Sequence, residues 1–428
     1  MSQQSSRAPH ADLASVLRNP EFRRVWAAGI LTSMMRWLDF LVLGVFTFDL
    51  TDSAGQVALV FLARMLPRLL FGVLLGTMAD RFNRKHLWVI SLVGLSVVSL
   101  ALGLLVADGD IAYWHLLIAV FVAGTFWATE FPVRRALMAD LVPHEAIGRA
   151  VSVDWTTDSF NRMVGPALGG GLLVTIGADG AYLLIAVVFG LAALVATTLH
   201  YVPLKRDPDA DSNPFAHLIG GLHYVRASRL LVGVLMVTIL FNLVFSPYQS
   251  MIPVIGKDVL GADALRVGLL SATEGLGAVF GALWIANRAR PEGYPRIYYY
   301  GTGLFLVSAL AFSQSETYAL SSFLLFTAGF GFSAFAVMQT TILVRATSPA
   351  MRGRVLGVLS LAIGAGPVGA LQVGPLVAGL GEQTTLTVLV LEGLVGLIFV
   401  GALWPMLRRA WLDPLSNVAG AQPEPAVD

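Results

Sequence analysis

The sequence predicts an all-α membrane protein, with twelve transmembrane helices arranged as two pseudo-symmetric six-helix bundles. Three observations predict it. Of 428 residues, 56% are hydrophobic and only 13% are charged, against roughly a quarter charged in a soluble domain. Apolar stretches of about 20 residues, enough to cross a bilayer core of about 30 Å, recur along the chain. The two halves also match each other at a fixed offset of 205 residues. A tandem of soluble domains is excluded, because the mean hydropathy of +0.73 leaves too little polar surface to cover one.

Taken in order, the first span is expected over 23–48 and carries Arg36 and Asp39, three apart on one helix face. The second, 56–78, carries Arg64 and Arg68, one turn apart. The third, 86–107, has no charge in its interior. The fourth, 111–138, holds Glu130 one turn before Arg134. The fifth, 147–175, carries Asp154, Asp158 and Arg162 at successive one-turn steps, and the sixth follows over 179–202. A polar segment with Lys205, Arg206, Pro208 and Pro214 then divides the chain. The remaining spans fall at 229–253, 264–287 with Glu274, 296–314, 317–345, 354–380 and 385–407 with Glu392. The implied domains are an N-terminal segment (1–22), a first bundle (23–202), a central linker (203–228), a second bundle (229–408) and a tail (409–428) whose prolines predict disorder.

Lysines and arginines set the expected orientation. Arg81, Arg84, Lys85, Arg134, Arg135, Arg149, Lys205, Arg206, Arg288, Arg290, Arg345, Arg352 and Arg354 lie on alternate connections, and the opposite loops carry only Lys257 and Arg266. The bias places both ends and the linker in the cytoplasm of a multi-pass protein of the cytoplasmic membrane. Residues 1–20 are polar and do not read as a cleavable signal.

The repeat is carried by glycines. Gly72 and Gly76 fall on Gly277 and Gly281, and Gly148-Arg149 falls on Gly353-Arg354. The segment Gly165-Pro166-x-x-Gly169-Gly170 is expected to correspond to Gly374-Pro375-x-x-x-Gly379, one helical turn further along. Two halves of equal orientation imply a pseudo-two-fold axis along the membrane normal, with a central cavity about which the halves rock.

The loop after the second span reads Gly76-Thr77-Met78-Ala79-Asp80-Arg81-Phe82-Asn83-Arg84-Lys85. It resembles the Gly-x-x-x-Asp-Arg-x-x-Arg-Lys signature of the major facilitator superfamily. Asp80 is placed to meet a helix N-terminus or an arginine of another helix and to act as a latch. In the second half Ile285 replaces the acid, so any latch works from one half. Leu66-Pro67-Arg68, Ala139-Asp140-Leu141-Val142-Pro143-His144-Glu145 and Met351-Arg352-Gly353-Arg354 are similar to the branch containing enterobactin exporters and macrolide-efflux proteins. Gly165, Pro166, Gly169 and Gly170 resemble the antiporter motif of drug exporters, in which proline and glycine permit a bend; Asn161 stands where that motif has a further glycine. The resemblance implies secondary active transport on the major facilitator fold, with the first and fourth spans lining the cavity.

Ionisable groups at helix centres cost about 2.5–3.5 kcal/mol each on insertion scales, and so need partners or a wet cavity. Asp39 and Glu130 are the leading candidates for proton-carrying carboxylates. Arg36, Arg134, Arg68, Asp158, Arg162 and Glu274 are candidates for coupling or cargo contact. Burial raises a carboxyl pKa and a nearby arginine lowers it, so an opening and closing cavity alternates the two influences. The rival reading is a static set of salt bridges, Arg36–Asp39 and Glu130–Arg134, that only neutralises charge. The second half offers a mostly apolar wall, which suits an amphiphilic cargo. Trp37, Trp127 and Trp155 are candidate platforms for an aromatic or cationic cargo, or core residues; Trp88, Trp114, Trp404 and Trp411 read as interfacial belt residues.

No Gly-x-x-x-x-Gly-Lys-Ser/Thr loop occurs, and Gly275-Leu276-Gly277-Ala278-Val279-Phe280-Gly281 reads as close helix packing. The seven histidines fall in tails, loops or helix ends, without metal-site spacing. The expected protein is therefore not an enzyme and needs no cofactor or metal. It draws on the proton motive force, and its partners are a small-molecule substrate, protons and lipids rather than nucleic acid. It works as a monomer and exports an amphiphile such as a siderophore or drug. The alternatives are a nutrient importer or facilitator on the same fold, or a membrane sensor that moves nothing.

Overall fold

The computed structural model describes residues 18–143, 146–202, 214–348 and 351–409; at 73–77, 79–81, 148 and 214–217 it describes the backbone alone. Every regular element among these residues is helical. In the first half these are α1 (Pro20–Thr51), α2 (Ala54–Arg81), α3 (Arg84–Ala107), α4 (Tyr113–Asp140) and α5 (Ile147–Thr197). A short α6 (Pro214–Arg226) precedes α7 (Arg229–Val254), α8 (Ala264–Arg288), α9 (Tyr294–Ser313) and α10 (Tyr318–Arg345). The chain ends in α11 (Arg352–Ile363), α12 (Gly366–Ala370), α13 (Val373–Leu380) and α14 (Glu382–Leu403). Local chemistry starts several of these helices. The Asn83 side chain accepts from the Lys85 amide at 2.9 Å to cap α3, and Asp263 accepts from the Arg266 amide at 2.8 Å to cap α8.

The twelve expected spans are all present, with two differences in their joints. Among the described residues, ten helical stretches, one of them Arg352–Leu380, are long and apolar enough to cross a bilayer. α5 counts once among these although it contains the fifth and sixth spans. Its 51 residues would run roughly 75 Å if straight, more than twice the bilayer core. It turns back at Gly177, whose φ of 72° and ψ of −179° lie where only glycine is comfortable. The remaining span is α9, whose 20 residues include Arg296 and a run of three tyrosines, Tyr298, Tyr299 and Tyr300.

The second difference concerns where proline interrupts a span. α5 keeps helical dihedrals through Pro166, because Gly177 is its one non-helical position. The eleventh span is the broken one. It divides into α11, α12 and α13, with Pro367 and Pro375 each near the start of the piece that follows a break. Proline has no amide to continue the ladder but fits the first turn of a new helix.

Gly177→Ala is expected to destabilise the protein by about 1–3 kcal/mol, because the backbone is forced into a glycine-only region. The new Cβ would also meet Asp179 Oδ1 at 2.6 Å. The thermal unfolding midpoint of the purified chain in detergent checks this.

The chain divides into two compact units: Met1–Val42 with Ala63–Arg206, and Leu43–Leu62 with Asp207–Asp428. In the first unit α3 packs on α4 and on the second arm of α5, where Ser96 Oγ donates to the Ala186 carbonyl at 2.7 Å. α1 lies on α5 through Gly165 and Gly169, where a Cβ would stand 2.7 Å from Trp37 Cβ and 2.9 Å from the Leu38 carbonyl oxygen. α2 meets α4 at Gly124, where a Cβ would strike the Arg64 carbonyl.

The second unit repeats this logic. α8 and α10 pack through Gly277, Gly281 and Gly329, where a Cβ would strike Phe326, Ser333 and Glu274 respectively. This bears out close packing as the use of the Gly275–Gly281 run. α12 packs on α7, with Gly369 against the Leu243 carbonyl and Gly366 beside Ser246. Leu243 lies 205 residues after Leu38, and Gly329 lies 205 after Gly124, so these contacts carry the repeat. The counterpart of Gly165 and Gly169 is therefore Gly366 and Gly369, one turn before the positions that the 205-residue offset gives and two turns before the expected Gly374. Gly374 itself has open space around its Cβ position, and so has Gly72, while Gly277 is tightly packed. The end of α1 also belongs to this unit: a Cβ on Gly44 would meet the Pro253 ring at 2.8 Å, and Lys257 pairs with Asp49.

Candidate functional site

The charged residues of the first unit form three linked groups on α1, α2, α4 and α5. The first surrounds Arg134, which is 1% exposed at its side chain. Arg134 contacts Glu130, one turn earlier on α4, at 3.2 Å and pairs with Asp154 of α5. Arg135 also reaches Asp154, at 2.9 Å. The Trp88 indole N–H of α3 donates to Glu130 Oε1 at 3.2 Å. Two carboxylates thus meet two guanidiniums in a site where an unpaired charge would be costly. Room for Arg134 comes from Gly29 of α1, where a Cβ would stand 2.5 Å from Arg134 Nη1.

The second group centres on Asp158, which pairs with Arg36 of α1 and accepts from Ser33 Oγ at 2.5 Å. The Arg36 guanidinium also sits over the rings of Trp37, Trp127 and Phe131, at 5.6, 5.6 and 5.1 Å from their centroids. Arg162, one turn beyond Asp158, lies 5.3 Å from the centre of the Trp37 ring. The third group is Asp39 with Arg64, at 2.7 Å, beside the fully buried Tyr182.

The structure therefore exchanges the partners expected for α1. Arg36 and Asp39 share a helix face, but each pairs with another helix: Arg36 with α5 and Asp39 with α2. The close approach of α1 and α5 at Gly165 and Gly169 brings Asp158 within reach of Arg36, and Arg64 of α2 takes Asp39. The expected Glu130–Arg134 pair is present, and Asp154 joins it. Arg68 is exposed and lies within electrostatic reach of Arg36. Glu274, in the second unit, is buried on α8 where α8 meets α10.

The tryptophans are reassigned by the same geometry. Trp37 and Trp127 lie against Arg36, and Trp155 lies 4.1 Å from the Arg135 guanidinium, so their faces hold the protein's own cations. Trp88 is fully buried and is not a belt residue, because its N–H is used by Glu130. Trp114 is 57% exposed, as a belt residue would be; Trp411 lies outside the described residues. Asn161, where the antiporter motif has glycine, donates to the Ile30 carbonyl at 2.8 Å and ties α5 to α1.

For the loop signature, α2 runs through Arg81, but the side chains of Gly76, Asp80 and Arg81 lie outside the described residues, as do His144 and Glu145. Arg84 is described and pairs with Asp140 at 2.6 Å. Tyr201 donates to the same carboxylate at 2.7 Å, and burial together with Asp140 pushes its phenol up to about 12. Lys85 Nζ donates to the Thr197 carbonyl at 2.8 Å. These contacts join α3, α4 and the end of α5.

The second unit has an aromatic interior in place of a charged one. Tyr298, Phe335, Phe241, Phe245 and Phe332 stack in sequence, with centroid separations of 5.5, 3.8, 5.2 and 4.9 Å. Thr238 accepts from Gln339 at 2.8 Å beneath this stack. The mostly apolar character expected of this half is what the structure has.

The helical bundles are those of the major facilitator fold. A solved structure of the nucleoside transporter NupG matches with a TM-score of 0.68 at 13% identity, covering 90% of this chain and 98% of that one. The family model described as transmembrane secretion effector matches residues 11–427, and the chain belongs to that family of major facilitator transporters. Among its relatives, the multidrug efflux pump Tap of Mycobacterium tuberculosis is 28% identical, over 86% of this chain and 89% of that protein. Macrolide efflux protein A of Streptococcus pyogenes is 21% identical, over 82% and 87%. The resemblance to the macrolide-efflux branch is thereby borne out.

Proposed function

We propose that this transporter exports an amphiphilic small molecule by proton-coupled antiport across a bacterial cytoplasmic membrane, with both ends in the cytoplasm. It cycles by alternating access as a monomer in contact with lipid, uses no cofactor, and draws on the proton motive force. Asp39 and Glu130 carry the protons. The observation that supports this best is the sharing of Arg134 by Glu130 and Asp154. When Glu130 takes a proton, Arg134 keeps Asp154 as its counter-ion, so the buried cation is never left alone. Asp39 has Arg64 as its partner, and rearrangement of α1 against α2 alters its tendency to hold a proton. The efflux relatives favour export as the direction.

Everted membrane vesicles test the proposal. A panel of fluorescent amphiphilic dyes is expected to accumulate inside them when the lumen is acidified. The double variant Asp39→Asn with Glu130→Gln is expected to lose this accumulation while its expression is retained. Full transport by the double variant overturns the assignment of the protons. Accumulation in right-side-out vesicles instead indicates an importer.

A further inference from the structure

We infer that the short helix α6 is a docking site for anionic phospholipid: its outward face rests on the bilayer surface, and Arg226, Arg229 and Arg354 meet lipid phosphates. The site is independent of the cargo and direction of transport. α6 is tied to the second unit on one side. A Cβ on Gly221 would stand 2.6 Å from the Arg354 carbonyl oxygen of α11, Val225 is buried, and the Ser348 amide donates to the Tyr224 hydroxyl at 3.2 Å. The other side is open. Ile219, Leu222, His223 and Arg226 fall at i, i+3, i+4 and i+7 and so share one helix face. All four are exposed, Ile219 by 55% and Leu222 by 36%. Chain connectivity fixes where α6 lies. Only Ala227 and Ser228 separate it from α7, whose apolar span begins at Arg229. The two helices are therefore at most about 11 Å apart along the chain, which holds α6 at the level of the lipid headgroups.

The charge of this region has one sign. α6, α7 and α11 contain no aspartate or glutamate, and they carry Arg226, Arg229, Arg352 and Arg354. Arg226, Arg229 and Arg354 are exposed, and none pairs with a carboxylate among the described residues. Arg354 lies against α6, its Nη1 3.2 Å from a Cβ placed on Gly220. A helix dipole favours a cation in the last turn, so Arg226 has a use without lipid. Arg229 and Arg354 do not, because they stand in the first turns of α7 and α11, where the dipole disfavours positive charge. An anion from outside the helices offsets that cost. Exposed apolar side chains interleaved with cations are the pattern of a helix lying in the membrane interface, with the apolar groups beneath the headgroups. A soluble anion would meet the arginines and leave Ile219 and Leu222 in water, and an apolar partner would do the reverse. An anionic phospholipid surface satisfies both.

Hydrogen–deuterium exchange of the full chain in nanodiscs reads the site locally. Discs of phosphatidylcholine are compared with discs of equal parts phosphatidylcholine and phosphatidylglycerol. Amides of 218–226 are expected to exchange at least about fivefold more slowly in the phosphatidylglycerol discs, the factor that one arginine near an anionic surface supplies. The triple variant Arg226→Gln, Arg229→Gln, Arg354→Gln is expected to lose that difference, and so is Ile219→Ser with Leu222→Ser. Lysine at the same three arginine positions is expected to keep most of it, since the charge remains. Arg288→Gln with Arg290→Gln, at exposed arginines near the end of α8, is expected to keep it in full. Equal exchange in the two discs overturns the inference. So does a difference that survives the triple glutamine variant, or one lost equally at Arg288 and Arg290, which marks general surface charge. A difference that appears only after Asp207→Asn, Asp209→Asn and Asp211→Asn also overturns it, because the linker's own acids would then be the partners of these arginines.

Discussion

Arg134→Met is expected to cost about 3–5 kcal/mol, because it leaves buried carboxylate charge without its counter-ion. The guanidinium is 1% exposed and contacts both Glu130 and Asp154. Asp154 retains Arg135 after the substitution, but Glu130 is left with only the Trp88 N–H. That difference makes a second expectation specific. Arg134→Met combined with Glu130→Gln should be more stable than Arg134→Met alone, since the double variant leaves a balanced Asp154–Arg135 pair. Thermal unfolding of the purified chain in detergent measures both. Equal stability of the wild type and Arg134→Met would show that water reaches the cluster and screens it.

Gly124→Val and Gly329→Val are the other large expected effects, each about 1–3 kcal/mol or more from overpacking. At both positions the added carbons collide with backbone of a neighbouring helix, Arg64 in the first unit and Glu274 in the second. Backbone cannot swing aside as a side chain can, so the helices must separate along their length. Gly72→Val is the control, because open space surrounds its Cβ position. Unfolding midpoints should fall for the first two and stay nearly unchanged for the control. A loss at Gly72 equal to the others would mean that the cost does not come from contact with a facing helix backbone.

The spans were legible because crossing a bilayer demands a minimum apolar length, a constraint that acts on one segment at a time. The joints were less so. The fifth and sixth spans part between 175 and 179 as expected, where Gly177 is followed by Ala178, Asp179 and Gly180, but the tightness of that turn shows only as a backbone angle. The ion pairs show the same limit. Spacing along one helix put Arg36 with Asp39 and Glu130 with Arg134, and only the second pair formed. Which helix approaches closely enough to compete depends on small residues elsewhere, here Gly165 and Gly169, that bring Asp158 to α1. The signal for Asp154 and Arg135 was present as charge in an apolar run, but nothing local assigns them to one cluster. The repeat shows the limit once more. A shared offset identified corresponding helices, yet Gly72 and Gly277 do different work, while Leu38 and Leu243 proved to be the corresponding contact points.

The turn at Gly177 leaves almost no slack between the two arms of α5. During synthesis neither arm can settle in lipid with the other left behind, so the pair must enter as one hairpin. Reporter tags and epitopes used to map the fold's sidedness should be tolerated poorly there, since any insertion would have to build its own loop.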